Sequence, residues 1–279
     1  MKILNGKKIA EKILKDLAKK IKKSKMQPGL AVILVGKDEA SRIYVKLKQK
    51  AAEKIGIYLK IHKFKEDVSE DEICKKIERL NKDKKYHGII VQLPLPSSLD
   101  KEKIIAGIDP KKDVDGFHPR NRAMIMAYKE PSIMPVLPGA ILTAIRAVDC
   151  QPAGRRALAL VNSVILGEIM KIFLEKEGFQ AEYAIKTICS IEGLEERLNK
   201  FDLIVTACGC PGMIKSEMIK KGVFIFDAGI TRIKDKVKGD VDYESVKDKI
   251  GFLTPVPGGI GPITIALLLA NVYLAAKNK

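Results

Sequence analysis

GIIVQLPLPSSLDKEKIIAGIDPKKDVDGFH, residues 88–118, is the stretch whose reading decides the fold. It opens with Ile89, Ile90 and Val91, a short β-branched apolar run that reads as a buried strand. Gln92 interrupts it, and a polar amide at the carboxyl end of a buried strand is where an open α/β sheet places ligand contacts. A Gln that merely ties down a loop fits the same position. Leu93, Pro94, Leu95 and Pro96 then carry the chain stiffly out of the sheet, because proline fixes φ and donates no ladder hydrogen bond. A short helix is predicted over about 100–106, followed by Asp113-Val114-Asp115-Gly116. Gly116 permits a tight turn that aims Asp115 inward. A carboxylate so placed accepts two N–H bonds from a heterocycle bearing an amino group beside a ring N–H. A solvated turn aspartate is the alternative this tetrapeptide leaves open.

Upstream, Ile9, Ile13, Leu17 and Ile21 recur every four residues with lysines between, which predicts an amphipathic helix over 6–25. Residues 30–35 read as a strand ended by Gly36, and a long helix follows to about Ile55. Tyr44 and Lys48 lie one turn apart on its one face. Such a pair does proton chemistry if the lysine is desolvated, since burial lowers its pKa toward neutrality. The spacing alone equally describes a surface pair. Residues 57–64 read as a strand and 70–80 as a helix, so the first part runs β-α-β-α-β and implies a mostly parallel sheet.

After Asp115 the chain reads as irregular up to Pro135-Val136-Leu137-Pro138-Gly139, then as a helix over about 140–148. Alternation of strand and helix resumes, with strands at 157–161, 181–185, 203–206 and 223–226. Asn162-Ser163-Val164-Ile165-Leu166-Gly167 stands where a dinucleotide fold places its glycine-rich phosphate turn, but with one glycine and no GxGxxG. Ser163 and the amides at the helix start are still suited to phosphate. Lys186 follows the next strand, where a cation meets a ribose 2′-phosphate. Ala207-Cys208-Gly209-Cys210-Pro211-Gly212 and Asp227-Ala228-Gly229 are the turns after the last two of these strands. Thr254 to Pro262 packs three glycines and three prolines ahead of a final apolar helix over about 263–276, and its glycines allow close backbone approach to a ligand.

The chain has 279 residues, enough for roughly two domains, and 46% hydrophobic residues, ample for real cores. No unbroken run of about 18 apolar residues is present, so no membrane span is predicted. Met1-Lys2-Ile3-Leu4-Asn5-Gly6 carries no signal-peptide core, which predicts a cytoplasmic protein. Five scattered cysteines and three histidines, His62, His87 and His118, offer no metal-ligand spacing, and the cysteines read as reduced thiols. The net charge of +17 raises nucleic acid as a partner. However, the lysines are dispersed over helix faces without arginine clusters or interleaved aromatics, which reads as a solvated surface and excludes nucleic acid as the expected partner.

Taken together, LVGKDEASRIYVKLKQKAAEKIGI at 34–57, VQLPLP at 91–96, KDVDGFHP at 112–119, DAGITR at 227–232, GDVD at 239–242 and TPVPGGIGP at 254–262 resemble the methylenetetrahydrofolate dehydrogenase/methenyltetrahydrofolate cyclohydrolase family, the FolD-type enzymes. The resemblance spans nearly the whole chain in order. It implies an α/β folate-binding catalytic domain (1–138 and 264–279) with the C-terminal helix returning to it, and a Rossmann-like NAD(P)-binding domain (139–263). It implies that Lys48 is the catalytic lysine, that Tyr44 packs on the folate, that Gln92 tunes the lysine, and that Asp115 grips the pterin. Val91, Leu93, Pro94, Pro257, Gly258 and Gly259 would line the folate site. Ser163, Gly167, Lys186, Ala207, Cys208, Gly209, Gly229, Ile230 and Thr231 would hold NADP, with NAD possible. Tetrahydrofolate derivatives and a homodimer complete the implied partners; no metal is implied.

Departures from the family pattern cluster in the cofactor half. Val161 stands where the first glycine of the phosphate turn is usual, Ile169 where a proline is, and Val136-Leu137 replace the Cys-Thr of Pro-Cys-Thr-Pro. A β-branched residue resists positive φ and adds bulk beside a phosphate. The alternatives are therefore a cyclohydrolase with a degenerate cofactor site, and a folate-binding protein without catalysis.

Overall fold

In a computed structural model, the described residues are 2–131, 133–148, 150, 154–186, 193, 195–234 and 236–278. They divide into two compact units. The first comprises Ala10–Val136 and Ile265–Lys279, and the second Met1–Ile9 and Leu137–Thr264.

The first unit is built on a parallel three-stranded sheet. Strand β2 (Gly29–Val35) lies between β3 (Tyr58–Phe64) and β4 (Gly88–Val91). All seven residues of β2 are buried, as expected of a parallel strand covered on both faces. Its side chains alternate between two cores. Leu30, Val32 and Leu34 pack with helix α1 (Gly6–Ser24), helix α2 (Glu39–Ile55) and the final helix; Ala31, Ile33 and Val35 pack with α3 (Glu70–Lys82) and α4 (Lys101–Ala106). The ends of α2 are set locally. The Asp38 carboxylate accepts from Ser41 N at 2.7 Å, and Gly56 at φ +83° donates its N–H to Ala52 and Glu53 carbonyls. Where the sequence reads as irregular after Asp115, the structure forms helix α5 (Pro119–Met126). Its start is capped by the His118 ring, and it buries only Asn121 and Ile125, too few apolar positions to show a period.

The second unit carries a six-stranded parallel sheet. Strand β1 (Lys2–Ile3) pairs with a strand near the C-terminus, so the first residues join this sheet rather than the folate-binding domain expected for 1–138. A two-residue strand leaves no pattern in sequence. Helix α6 (Val136–Arg146) opens the unit, beginning earlier than the sequence suggests. Then follow β5 (Arg156–Val161), α7 (Val164–Lys176), β6 (Gln180–Ile185), α8 (Glu195–Leu198), β7 (Leu203–Ala207) and β8 (Phe224–Asp227). An antiparallel hairpin of β9 (Thr231–Ile233) and β10 (Lys236–Lys238), helix α9 (Tyr243–Val246) and β11 (Phe252–Leu253) lead into α10 (Ile260–Lys277). The sheet order is β1-β11-β8-β7-β5-β6. The chain reverses its direction of winding between β5 and β7, the switch point at which doubly wound sheets bind dinucleotides.

Helix α10 is long and apolar enough by length and composition to cross a membrane. Its Ile265, Leu268, Leu269 and Val272 are instead core residues of the first unit, which makes it a core helix. Cys74, Cys150 and Cys208 are free, while Cys210 is disulfide-bonded, a departure from the reading of five reduced thiols.

Candidate active site

In the first unit the structure brings Lys48 and Gln92 together. Lys48 Nζ donates to Gln92 Oε1 at 2.8 Å. Gln92 is held at both ends: its backbone N–H donates to Ile33 O at 2.9 Å and its side-chain amide to Leu93 O at 2.7 Å. With the NH2 spent on Leu93, the amide oxygen is the atom offered to the lysine. The same Leu93 carbonyl takes Ser41 Oγ at 3.3 Å, tying the loop after β4 to the start of α2. Burial lowers the Lys48 pKa from its ordinary value, against an opposing pull from the Asp115 charge. Tyr44, one turn earlier, is pushed up to about 12 by burial and stays protonated.

The KDVDG turn separates structural from available groups. Lys112 Nζ donates to the carbonyls of Leu80 and Asp83 at 2.9 Å each, a cation on the C-terminal end of α3. The buried Asp113 carboxylate accepts from Gly116 N (3.1 Å), His118 N (2.8 Å) and Asn121 Nδ2 (2.9 Å). Val114 fills the space above Gly88, where a Cβ would meet it at 2.7 Å. Gly116 sits at φ +83° against the Pro135 backbone, so the turn accepts no side chain there. Asn271 Nδ2, from buried α10, donates to Val114 O at 2.9 Å and Met134 O at 2.8 Å. Val136 N–H holds the Asp115 carbonyl at 3.0 Å. Within this turn, the Asp115 carboxylate has no hydrogen-bond partner among the described residues. Burial raises its pKa to about 6; the Lys48 charge pulls it down and Asp113 pushes it further up.

The other expected folate residues divide by exposure. Leu93 and Pro94 are exposed beyond β4, while the Val91 side chain is packed among Ile33, Ile89 and Leu99, leaving its backbone as the part available to a ligand. Pro257, Gly258 and Gly259 belong to the second unit. There Gly258 adopts φ +109°, and Gly6 and Gly259 meet so closely that a Cβ on Gly6 would lie 1.8 Å from the Gly259 oxygen.

At the switch point of the second unit, hydrogen bonds tie together the turns that carry Cys208, Gly209 and Thr231, three of the expected cofactor residues, while Ile230 is exposed. Asn162 Nδ2 donates to Cys208 O at 3.2 Å, and Thr231 Oγ1 to Gly209 O at 3.0 Å. Ser163 precedes α7 without capping it, so its hydroxyl and the first helix amides are not consumed. Gly167 lets α7 rest on β6, since a Cβ there would lie 2.4 Å from the Tyr183 ring. Val161, the residue out of place in sequence, is the last residue of β5, paired with Ile185 and Ala207 and fully buried. It is not a left-handed position, so the expected strain is absent. The Cys208 thiol faces inward, on Leu160 O at 3.3 Å, and burial pushes it to about 12; only its backbone faces the turn. Lys186 follows β6, its N–H on Val161 O at 2.7 Å.

Two buried aspartates shape this network and were not assigned roles from sequence. Asp240 accepts from Thr206 Oγ1, Cys208 N and Cys210 N, each at 2.7 Å. Asp227 accepts from Gly229 N (2.9 Å), Asp240 N (3.2 Å) and Val241 N (3.0 Å). A Cβ on Gly229 would lie 2.2 Å from the Asp240 carboxyl carbon. The signal lay in the DAGITR and GDVD motifs, where glycine adjoins a carboxylate. Among the described residues no group of three His, Cys, Asp or Glu could hold a metal ion.

The tetrahydrofolate dehydrogenase/cyclohydrolase catalytic-domain model matches residues 4–115, and the NAD(P)-binding-domain model of the same family matches residues 135–279. The chain belongs to this family. A bifunctional protein FolD of Nautilia profundicola is 40% identical over 284 residues, covering 100% of this chain and 98% of the relative. The bifunctional FolD methylenetetrahydrofolate dehydrogenase/cyclohydrolase of Campylobacter jejuni superimposes with a TM-score of 0.92 at 38% identity, covering 100% of this chain and 99% of that one. A Trypanosoma brucei FolD solved with NADP and an inhibitor has a TM-score of 0.93 at 29% identity, with 99% and 97% covered. The family resemblance read from the motifs is thus borne out across both halves, including the half in which Val161 departs from the usual pattern.

Proposed function

We propose that this FolD family member oxidises 5,10-methylenetetrahydrofolate to 5,10-methenyltetrahydrofolate with NADP and hydrolyses the product to 10-formyltetrahydrofolate. The observation that carries the reading is the desolvated Lys48 fixed on Gln92, with an unpartnered Asp115 carboxylate coupled to it.

Asp115 accepts the pterin's amino and ring N–H groups, an acceptor role that needs the carboxylate. Tyr44 packs beside the reacting ring, and Leu93 and Pro94 border it. Bound at the switch point, NADP supplies the hydride acceptor. Ser163, the α7 amides, Gly209 and Thr231 would hold it, with Lys186 toward the ribose phosphate. Orientation supplies most of the help for the oxidation. In the hydrolysis, neutral Lys48 takes a proton from the water attacking the methenyl carbon and returns one to the departing ring nitrogen. Gln92 keeps the amine aimed throughout. A cationic methenyl group near Lys48 favours the uncharged amine, the form a base requires.

A cyclohydrolase lacking the dehydrogenase was suggested by Val161, but that side chain is buried in β5 rather than in the turn. A protein that only binds folate leaves the Lys48–Gln92 pairing without use. We take the enzyme to act in the cytoplasm as a homodimer; Ile233 and Val237, exposed on the hairpin, offer apolar surface for such an assembly, and light scattering would measure it. The test is a paired assay. Loss of methenyltetrahydrofolate absorbance and its NADP-dependent formation from methylenetetrahydrofolate are expected together. Hydrolysis without oxidation, with either nicotinamide, would reduce the protein to a cyclohydrolase.

A further inference from the structure

Cys208 joins the turns of the second unit's switch point through its backbone and its thiol. Its N–H donates to Asp240 Oδ2 at 2.7 Å, its thiol to Leu160 O at 3.3 Å, and its carbonyl accepts from Asn162 Nδ2 at 3.2 Å. Cys208 follows β7 and Asn162 follows β5, so the residue rivets the turns after two adjacent parallel strands. Behind it stands the fully buried Asp240, whose carboxylate also takes Thr206 Oγ1 and Cys210 N at 2.7 Å each. Gly229 presses on the same carboxylate from the turn after β8.

Asn162 connects that rivet to the ligand side. It is exposed, and it immediately precedes Ser163 and the start of α7, whose first amides have no intrahelical partner. In a glycine-rich turn, the backbone conformation itself brings such amides to a phosphate. Here no glycine occurs from Val161 until Gly167, and a side-chain hydrogen bond to a neighbouring turn does the holding. Resting on the reading of this switch point as the NADP site, we propose that Asn162 and Asp240 are positioning residues for the dinucleotide, acting in series through Cys208. The carboxylate fixes the Cys208 backbone, and the Cys208 carbonyl then holds the turn that offers Ser163 and the α7 amides to a phosphate.

The donor set at residue 240 demands a carboxylate. Its two oxygens receive three donors, and two of these are backbone N–H groups that cannot turn away. An asparagine there would set its NH2 against one of those donors. Asn162 is less constrained, since its exposed side chain is tied by the Cys208 bond, and alanine removes that tie without opening a core. Asn162, Cys208 and Asp240 all belong to the second unit, whereas Lys48, Gln92 and Asp115 belong to the first. Their loss is therefore read in the dinucleotide and not in the folate.

The test uses the intact enzyme, with NADP titrated in the dehydrogenase assay and by calorimetry. Asn162→Ala should raise the NADP KM about fivefold and Asp240→Asn about tenfold, the worth of one hydrogen bond to a neutral or a charged acceptor. The kcat at saturating NADP and the folate KM of both reactions should stay within about twofold of the wild type. Because the two residues act in series, the double variant should show about the tenfold rise of Asp240→Asn alone. A multiplicative rise, or folate and NADP KM values that climb together, would overturn the proposal. Should Asp240→Asn fail to fold, Thr206→Val, which removes one donor from the same carboxylate, takes its place in the cycle. A rise of about threefold is then expected that vanishes when Asn162 is already alanine, and a rise that persists there would overturn the series. A wild type that binds neither NADP nor NAD by calorimetry would overturn the cofactor reading and this proposal together. A wild type that binds NADP, with affinity unchanged in Asn162→Ala, would overturn this proposal alone.

Discussion

The two units of this chain bury aspartates for opposite purposes. In the second, Asp227 and Asp240 are saturated: six donors converge on them, five of them backbone N–H groups, and together they pin the turns of the cofactor network. In the first, Asp113 is spent in the same way, but its neighbour Asp115 is left with no donor. A buried charge with all its hydrogen bonds made is architecture; one left unpaired beside a desolvated lysine is held for a ligand. The contrast between Asp113 and Asp115, two residues apart, marks the active site more sharply than burial does.

The largest effect should come from removing the lysine. Lys48→Met is expected to lower cyclohydrolase turnover by about 10²–10⁴-fold while folate still binds, because the proton carrier goes but the Asp115 grip remains. Stopped-flow hydrolysis with equilibrium binding checks this, and unchanged turnover would remove Lys48 from catalysis.

Asp115→Asn tests the unpaired carboxylate itself. Its folate KM should rise about 10- to 100-fold, the worth of hydrogen bonds to a charged acceptor, with the nicotinamide KM little moved. In the wild type the folate KM should climb as pH falls below about 6, where the carboxyl of raised pKa takes up its proton. That step should be missing from the Asn variant; a step shared by both would assign it to another group.

Asn271→Leu sharpens the comparison from a distance. It strips the donor from two carbonyls, Val114 and Met134, and should cost about 1–3 kcal/mol in urea unfolding. Since Val114 precedes Asp115, the folate KM should rise by more than the nicotinamide KM. Equal changes would make Asn271 a purely structural residue.

The smallest effect is a pH slope in the second unit. Burial first, and then Asp240, raises Asp227 to about 7 from 3.8, so the native state takes up this proton before the unfolded chain does. The resulting stabilisation is present at low pH and lost as pH rises through 7. Between pH 8 and pH 5 the wild type should therefore gain thermal stability relative to Asp227→Asn. Parallel melting curves across that range would show that the carboxylate stays charged.

Much of this was legible in the sequence because it is local. The apolar run of β2, the four-residue period of α1 and the Gly-Pro punctuation of 254–262 each report a backbone preference carried by neighbouring residues. Helix α5, strand β1 and the hairpin were not legible: all three segments are short, and β1 pairs with β11 near the other end of the chain. Val161 was misleading for a related reason. A motif compares residue types at a position. The sequence already placed Val161 at the end of a strand, but that its side chain is buried in the sheet and away from the turn was decided by packing.

By itself, the sequence determined the alternation of the longer strands and helices, the family, and the candidates Tyr44, Lys48, Gln92 and Asp115. Only the tertiary structure decided which of them are chemically prepared. Proton affinity is set by desolvation and by charges brought in from distant segments. Lys48 on α2, Gln92 after β4 and Asp115 beyond α4 acquire their states from one another, and Asn271 of α10 fixes the turn that carries Asp115.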